Sequence, residues 1–405
     1  MNNKINNQEK INIIEKQFIE HSIKINIDQN IDNTEITNEN ELIEDSDFIV
    51  SKQLPVFFNK VMALNRTISA LLIKSYFDSY EKLRFADILA SSGIRSLRLI
   101  KEFLIDSNKD YYILMNDLNP KAINKIKETI DLNFTDDERI IIMSKINITK
   151  QDANLALLNE KSFDYIDIDP FGSPNIFLDS AVKRIKHNGV IAITATDTSA
   201  LCGTYTNACR RKYDSIPLRN HLMHEMGLRI LIRKAQIIGM QYDKALIPIL
   251  SISTHHYMRI FLKVIKSKEK CNELLKKHKF IDIDGNPIDC EKNEKQNYGK
   301  LWTGLIYDKE LIDKILNLIK KNEEYINDSE LNKLITTISN EYDYLGFFDT
   351  HELARKYNCE TKSIDKIISS LVKQGFIASK THIRPTGIKT NAQLDIVLKT
   401  IDEIN

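Results

Sequence analysis

Cysteine is scarce in this sequence: Cys202, Cys209, Cys271, Cys290 and Cys359 are the only five, and no two form a Cys-x-x-Cys pair. An odd number without paired spacing indicates neither a disulfide framework nor a tetrahedral zinc site, so free thiols are the simplest reading and no metal is expected. Long apolar runs are missing too. None approaches the ~18 residues that mark a membrane span, and the Asn-rich, acidic first residues are unlike a signal or transit peptide. The expected location is the cytoplasm, without a membrane partner. Gly-x-Gly-x-x-Gly does not occur, and the absence of a Walker Lys-Ser/Thr argues against ATP. "HLMHE" (221–225) has the order His-x-x-His-Glu, which matches no zinc-protease motif and reads as packing or surface. No internal repeat is present. Neither sign of charge dominates, the net value being +1, yet residues 1–50 carry 4 Lys/Arg against 11 Asp/Glu. The body is therefore mildly basic behind an acidic leader, a surface compatible with RNA and also ordinary for a solvated protein.

What is there is a chain of 405 residues, long enough for two domains, with a hydrophobic content of 42%. Residues 28–47 are polar and acidic and read as a mobile loop or insertion, with organised structure expected from about Leu54. Apolar spacing in 67–73 predicts a helix. Then strands and helices alternate: strand 84–89, helix 94–104, strand 111–117, helix 120–133 opened by Pro120, and strands 139–144, 163–169 and 189–197. A helix over 224–243 and two strands within 244–265 would close the sheet. Such alternation predicts an α/β fold with a doubly wound parallel sheet. Beyond the Lys-rich stretch 266–300, helical patterns occupy 308–322 and 363–375.

Ligands of such sheets bind beyond the carboxyl ends of the strands. "ASSGIR" (90–95) follows the first strand, and its small residues let backbone approach a ligand, although a tight strand-to-helix turn explains them equally well. Asp117 ends the second strand, where a carboxylate can accept from both hydroxyls of a ribose. Asp152 and Ala153 follow the third, suited to an adenine edge, while Asp152 alone reads as a helix cap. Together they favour a nucleoside-bearing cofactor. "YIDIDPFGSP" (165–174) then supplies the Asp169 carboxylate, the Pro170 carbonyl and the Phe171 ring. These groups suit an exocyclic amine on a flat base: two acceptors hold its protons and expose the lone pair to an electrophilic methyl, and the ring stacks. Taken by itself, "DPFG" is first of all a capped Asx-Pro turn.

"ADILASSGIRSLR", "NDLNPKA", "DIDPFGSP" and "TATDTSALCGTYTNACRRKY" occur in this order. With "VFFNKVMALNR" (56–66), "PLRNHLMHEMGLRIL" (217–231), "YGKLWTGLI" (298–306) and the stretch 347–392, they resemble the tRNA guanine-26 N2-dimethyltransferase family in its archaeal form, over nearly the full chain from Leu54. The resemblance implies a Rossmann-like domain dependent on S-adenosyl-L-methionine (1–265) and a smaller α+β C-terminal domain that binds tRNA (266–405), acting as a monomer. It implies cofactor contacts from Arg66, Arg95, Asp117, Asp152 and Ala153. It also implies that Asp169, Pro170 and Phe171 act on the target guanine, with Phe57 as a second aromatic wall. Two positions depart from the family pattern: Lys60 replaces the usual Pro after Asn59, and Thr67 the usual Asp after Arg66. Some members carry a cysteine zinc site where this chain has only isolated Cys271 and Cys290. Arg210, Arg211, Lys212 and Arg219 form a basic cluster open to tRNA phosphates or to solvent alone, and His382, Arg384 and Lys389 are expected on an RNA-facing hairpin of a winged helix. Other exocyclic amines, such as adenine N6, and a non-catalytic tRNA-binding role are the competing readings.

Overall fold

The structure, a computed structural model, describes residues 12–31, 56–254, 256–288, 297–358 and 360–404. It opens with a hairpin that the sequence reading did not anticipate: β1 (Asn12–Glu20) and β2 (Ile23–Ile31) pair antiparallel from Asn12↔Ile31 to Glu20↔Ile23. Organised structure thus begins well before Leu54, and residues 28–31 of the acidic stretch belong to a strand; positions 32–47 lie outside the described residues. The signal was a period of two, with Ile23, Ile25 and Ile27 buried and Lys24 between them exposed.

The helix foreseen at 67–73 is the middle of α1 (Ala63–Tyr76). The βα rhythm follows as β3 (Lys82–Asp87), α2 (Ile94–Leu99), β4 (Asp110–Asn116) and α3 (Pro120–Asn133), whose first turn takes Pro120 and is capped by the Asn119 side chain. One expected strand is a helix. Residues 139–144 fall inside α4 (Asp136–Lys145), where Thr135 and Glu138 form a reciprocal capping box and only Ile142 of the apolar run is buried. The true strand, β5 (Ile146–Thr149), comes next. Then follow α5 (Ala153–Leu158), β6 (Phe163–Ile168), α6 (Asn175–Arg184), β7 (Ile185–Ala195), α7 (Thr198–Leu201), α8 (Thr206–Tyr213), α9 (Met223–Met240), β8 (Lys244–Ser253) and β9 (Met258–Lys266).

These seven strands after the hairpin form one sheet in the order β5-β4-β3-β6-β7-β9-β8, parallel from β5 to β7, with β9 antiparallel to both neighbours. Strand order reverses between β3 and β6, where the chain turns from building one half of the sheet to building the other. This is a Rossmann-like α/β fold, and its switch point places the loops after β3 and β6 side by side.

Apolar packing is continuous past residue 266. The large core joins the sheet to Leu301, Trp302, Ile312, Ile335 and Phe347, while Leu353, Ile367, Leu371, Ile388 and Val397 make a second, smaller cluster. That second cluster has the element order of a winged helix, with helices at Thr350–Tyr357 and Ile364–Lys373 and a hairpin of Ala378–Lys380 with Gly387–Thr390. Of the hairpin residues expected to face RNA, His382 and Lys389 face inward instead, and Arg384 stays partly exposed. Lys389 is fully buried, donating from Nζ to the Tyr344 carbonyl at 2.7 Å, and it lies 3.4 Å from Glu225 and 3.3 Å from Glu341. The buried His382 ring sets Nδ1 2.6 Å from Glu341 and Nε2 3.1 Å from the Ser251 carbonyl, and Arg384 pairs with Asp349. Lys389 ties the hairpin to α9 and His382 ties it to β8.

Candidate active site

The loop after β3 turns through two residues of positive φ, Ser91 and Gly93, to start α2. Gly93 is required there on two counts: φ is +74°, and a Cβ would stand 2.7 Å from Met115 Cε and 3.0 Å from Ile126 Cγ1. Asp117 braces this loop from the end of β4. One of its carboxylate oxygens accepts from Ser91 N and the other from Asn119 N, each at 2.9 Å, and the side chain remains partly exposed. Buried Asn116 joins the strand ends, donating to the Ile88 and Gln151 carbonyls and accepting from Thr149 Oγ1 and Gln151 N.

Across the switch point, β6 gives way to Asp169-Pro170-Phe171-Gly172. Gly172 exchanges two hydrogen bonds with Thr196 at the end of β7, donating to Oγ1 at 2.6 Å and accepting from its N at 3.0 Å, which fixes the turn. Asp169 accepts from Arg95 Nη2 through Oδ2, leaving Oδ1 and the Pro170 carbonyl without a donor among the described residues. Phe171 is 55% exposed. Phe57 meets it edge to face, centroids 4.3 Å apart at 83°. A base inserted between parallel rings would need about 7 Å, two van der Waals spacings. The two rings therefore do not bracket an open slot; Phe171 is solvent-exposed and packs perpendicular to Phe57.

Beneath the mouth lies an ionic cluster that sequence inspection missed. Arg95 Nη1 donates to Asn65 Oδ1 and Ser69 Oγ, both at 2.9 Å, and stands 3.6 Å from Asp167. Arg259, reaching in from β9, grips both oxygens of Asp167 at 3.0 and 2.6 Å and also donates to Thr194 and Ser69. Tyr165 adds a hydroxyl to Asp167 at 2.6 Å. Burial would raise the Asp167 pKa, but Arg259 and Arg95 outweigh it and hold it low. Asp87 completes the group, accepting from Ser96 Oγ at 3.0 Å. Three carboxylates face two guanidiniums, and the surplus falls on Asp87, whose pKa burial and the Asp167 charge push up to about 7. Arg259 lies 90 positions from Asp169, so only an arginine set within the continuously buried first half of β9 could have signalled it.

The remaining residues divide. Asp152 is the N-cap of α5, its Oδ1 accepting from Asn154 N at 2.9 Å and Leu155 N at 3.2 Å, and Ala153 is buried behind it. Both sit at the strand-end face, one loop beyond Asp117. Arg66 is turned elsewhere: its guanidinium pairs with Glu20 of the hairpin and donates to the Asn59 carbonyl at 3.0 Å. In "HLMHE", His221 packs on Phe347, His224 Nδ1 lies 3.6 Å from Cys202 Sγ, and Glu225 is buried against Arg229.

The family model described as N2,N2-dimethylguanosine tRNA methyltransferase matches residues 37–402. The tRNA (guanine(26)-N(2))-dimethyltransferase of Pyrococcus horikoshii is 34% identical over 370 residues, covering 86% of this chain and 93% of that protein. Its counterpart in Methanocaldococcus jannaschii is 33% identical over 364 residues, covering 87% and 94%. Among solved structures, Trm1 from Pyrococcus horikoshii in complex with S-adenosyl-L-methionine matches with a TM-score of 0.79 at 30% identity, covering 95% of this chain and 99% of that one. Sequence and fold agree, and the chain belongs to the N2,N2-dimethylguanosine tRNA methyltransferase family, whose reaction is the S-adenosyl-L-methionine-dependent dimethylation of guanine 26 in tRNA.

Proposed function

We propose that this chain methylates the exocyclic N2 of guanine 26 in tRNA, first to N2-methylguanosine and then to N2,N2-dimethylguanosine, with Asp169, Pro170 and Phe171 acting on the base. The observation that carries the assignment of residues is the turn after β6: one carboxylate oxygen and one carbonyl have no donor among the described residues and lie beside an exposed ring, on a loop stapled to Thr196.

The residues at the neighbouring strand ends fit S-adenosyl-L-methionine. The Gly93 turn has no room for a Cβ, the Asp117 carboxylate is partly exposed with acceptor capacity left for ribose hydroxyls, and Asp152 with Ala153 offers a carboxylate and backbone for the adenine. Arg95 would serve the amino-acid end from its place beside Asp169. Arg66 would join it only by sharing or leaving Glu20. When bound, the cofactor supplies an electrophilic methyl group.

Guanine N2 is a poor nucleophile because its lone pair is delocalised into the ring. With the base unstacked onto Phe171, Asp169 Oδ1 and the Pro170 carbonyl accept its two N–H bonds, which favours a pyramidal nitrogen and exposes the lone pair. The nitrogen–carbon bond would form as the methyl–sulfur bond of the cofactor breaks, with S-adenosylhomocysteine as the leaving group, and the proton shed by N2 would leave toward Asp169. The cluster below keeps Asp169 in place through Arg95, which Asn65, Ser69 and Asp167 orient in turn. Residues 266–405 are assigned to tRNA binding, and the chain to a cytoplasmic monomer. No described helix is long and apolar enough to cross a membrane. Nucleoside mass spectrometry of unmodified tRNA bearing guanine 26, incubated with the protein and cofactor, tests the reaction. Dimethylguanosine at that site is expected, and tRNA returned unmethylated by protein that binds both substrates would refute it.

A further inference from the structure

α8 carries more positive charge than the fold uses. Its inner side is anchored: Cys209 and Tyr213 are buried, and the Tyr213 hydroxyl donates to Asp197 at 2.6 Å and sits 3.1 Å from Ser173 Oγ. Asn175 Nδ2 donates to the Lys212 carbonyl at 2.8 Å. Ser173 and Asn175 directly follow the turn that presents Asp169 and Phe171, so α8 is fixed to the chain segment beside the target-base site. Its outer side exposes Arg210 and Arg211. Exposed Arg219 stands close by, its Cβ 3.0 Å from where a Cβ on Gly203 would be.

Lys212 is taken up by Asp197 at 3.0 Å, but Arg210, Arg211 and Arg219 make no ion pair among the described residues. Arg210 also lines a groove of about 460 Å³ behind the helix, together with Ser215, Arg233, Asn297 and Lys300. Asp214 is the one acid in that lining among the described residues, and Arg233 bridges it at 3.2 Å. The groove wall is held by a two-way backbone pairing of Ile216 with Gly299 at 2.6 and 2.7 Å. Among the described residues, cations outnumber acids from α8 into this groove.

We propose that α8 and the groove behind it seat the phosphate backbone of the substrate tRNA next to guanine 26, with Arg210 and Arg211 on phosphates. This rests on the tRNA methylation proposed above. An unstacked base stays covalently attached to its strand, so the phosphates on either side of it must lie near the pocket. Exposed guanidiniums without carboxylate partners at that distance match phosphate geometry, positioning the strand while the pocket reads the base.

The test compares wild type with the double variant Arg210→Ala/Arg211→Ala, and with Lys82→Glu at the opposite, N-terminal edge of β3 as a control. Binding of unmodified tRNA is titrated across salt concentration. Each lost phosphate contact flattens the log K against log salt slope by about one, so the double variant should lose about two and raise the KM for tRNA about tenfold or more. Its cofactor affinity and its kcat at saturating tRNA should match wild type. A slope and KM equal to those of wild type, or shared with Lys82→Glu, would overturn the proposal. The slope is read from binding alone, so this surface is judged separately from the reaction, whose own failure would show as unmethylated tRNA with wild-type protein.

Discussion

Asp169 accepts from Arg95 with one oxygen and leaves the other open, so truncating it removes an acceptor at the mouth without hollowing the core. Asp169→Ala should slow single-turnover methylation by about 10²–10³-fold, the usual scale for losing one preorganised polar contact to the reacting group, while tRNA still binds. A rate near that of wild type would remove Asp169 from the chemistry. Asp87 makes a different prediction because it touches no open surface. Its folded pKa of about 7 exceeds the ordinary 3.8, so between those values the folded chain binds a proton that the unfolded chain does not. Stability should therefore fall as pH rises through this window, by at most about 1.4 kcal/mol per pH unit. Asp87→Asn removes the titration, and its stability relative to wild type should grow from about pH 5 to about pH 7 in urea melts. A constant difference would mean that Asp87 is ionised throughout. "DPFG" was legible as a polar turn at a strand end. The surplus charge beneath it was not, because it comes from residues on β3, α2, β6 and β9 that only the sheet brings together.

At the scale of elements, strands and helices could be read wherever periodicity and end signals agreed, as at α3 with its Asn119 cap and Pro120. They could not where four apolar residues ran together. Ile140 to Met143 resemble a buried strand, yet Ile140, Ile141 and Met143 are exposed, and the capping box at Thr135 and Glu138 was the better guide. The hairpin of β1 and β2 escaped because an acidic stretch follows it, although its isoleucine alternation was plain. What fastens this hairpin is Glu20, which accepts from Arg66 and from Arg98, the latter at 3.0 Å. Burial alone would raise the Glu20 pKa, and the two guanidiniums overcome that and lower it. Glu20→Ala leaves Arg66 buried without a carboxylate partner among the described residues, with the Asn59 carbonyl and the Phe58 ring beside it, and should cost about 3–5 kcal/mol, the usual penalty for breaking a buried ion pair. Gln17→Ala, on an exposed position of the same strand, should be neutral. Equal effects of the two in denaturant melts would show that the hairpin is not held through Glu20.

For the whole molecule, the decisive contacts join residues far apart in the sequence. Lys389 from the C-terminal hairpin lies between Glu225 of α9 and Glu341, with His382 on the other side of Glu341. Nothing in "THIRPTGIKT" marks these cations as interior, since lysine is almost never fully buried unless paired, and the pairing carboxylates are remote in sequence. Two consequences separate an interior lysine from one that contacts RNA. Lys389→Met leaves Glu225 and Glu341 without their shared cation and should destabilise the chain by about 3–5 kcal/mol, while folded protein keeps its tRNA affinity and salt slope. The acid limb should change as well. Burial would raise the Glu341 pKa, but the His382 and Lys389 charges bring it down from 4.5 to about 2. The stability this contributes is fully present above the ordinary glutamate value and is lost as pH falls through about 2. Removing Lys389 raises that folded pKa, so acid unfolding of the variant should begin at higher pH and be less steep than in wild type. A variant with wild-type stability at neutral and acid pH, but weakened and less salt-dependent tRNA binding, would return Lys389 to the RNA-facing surface.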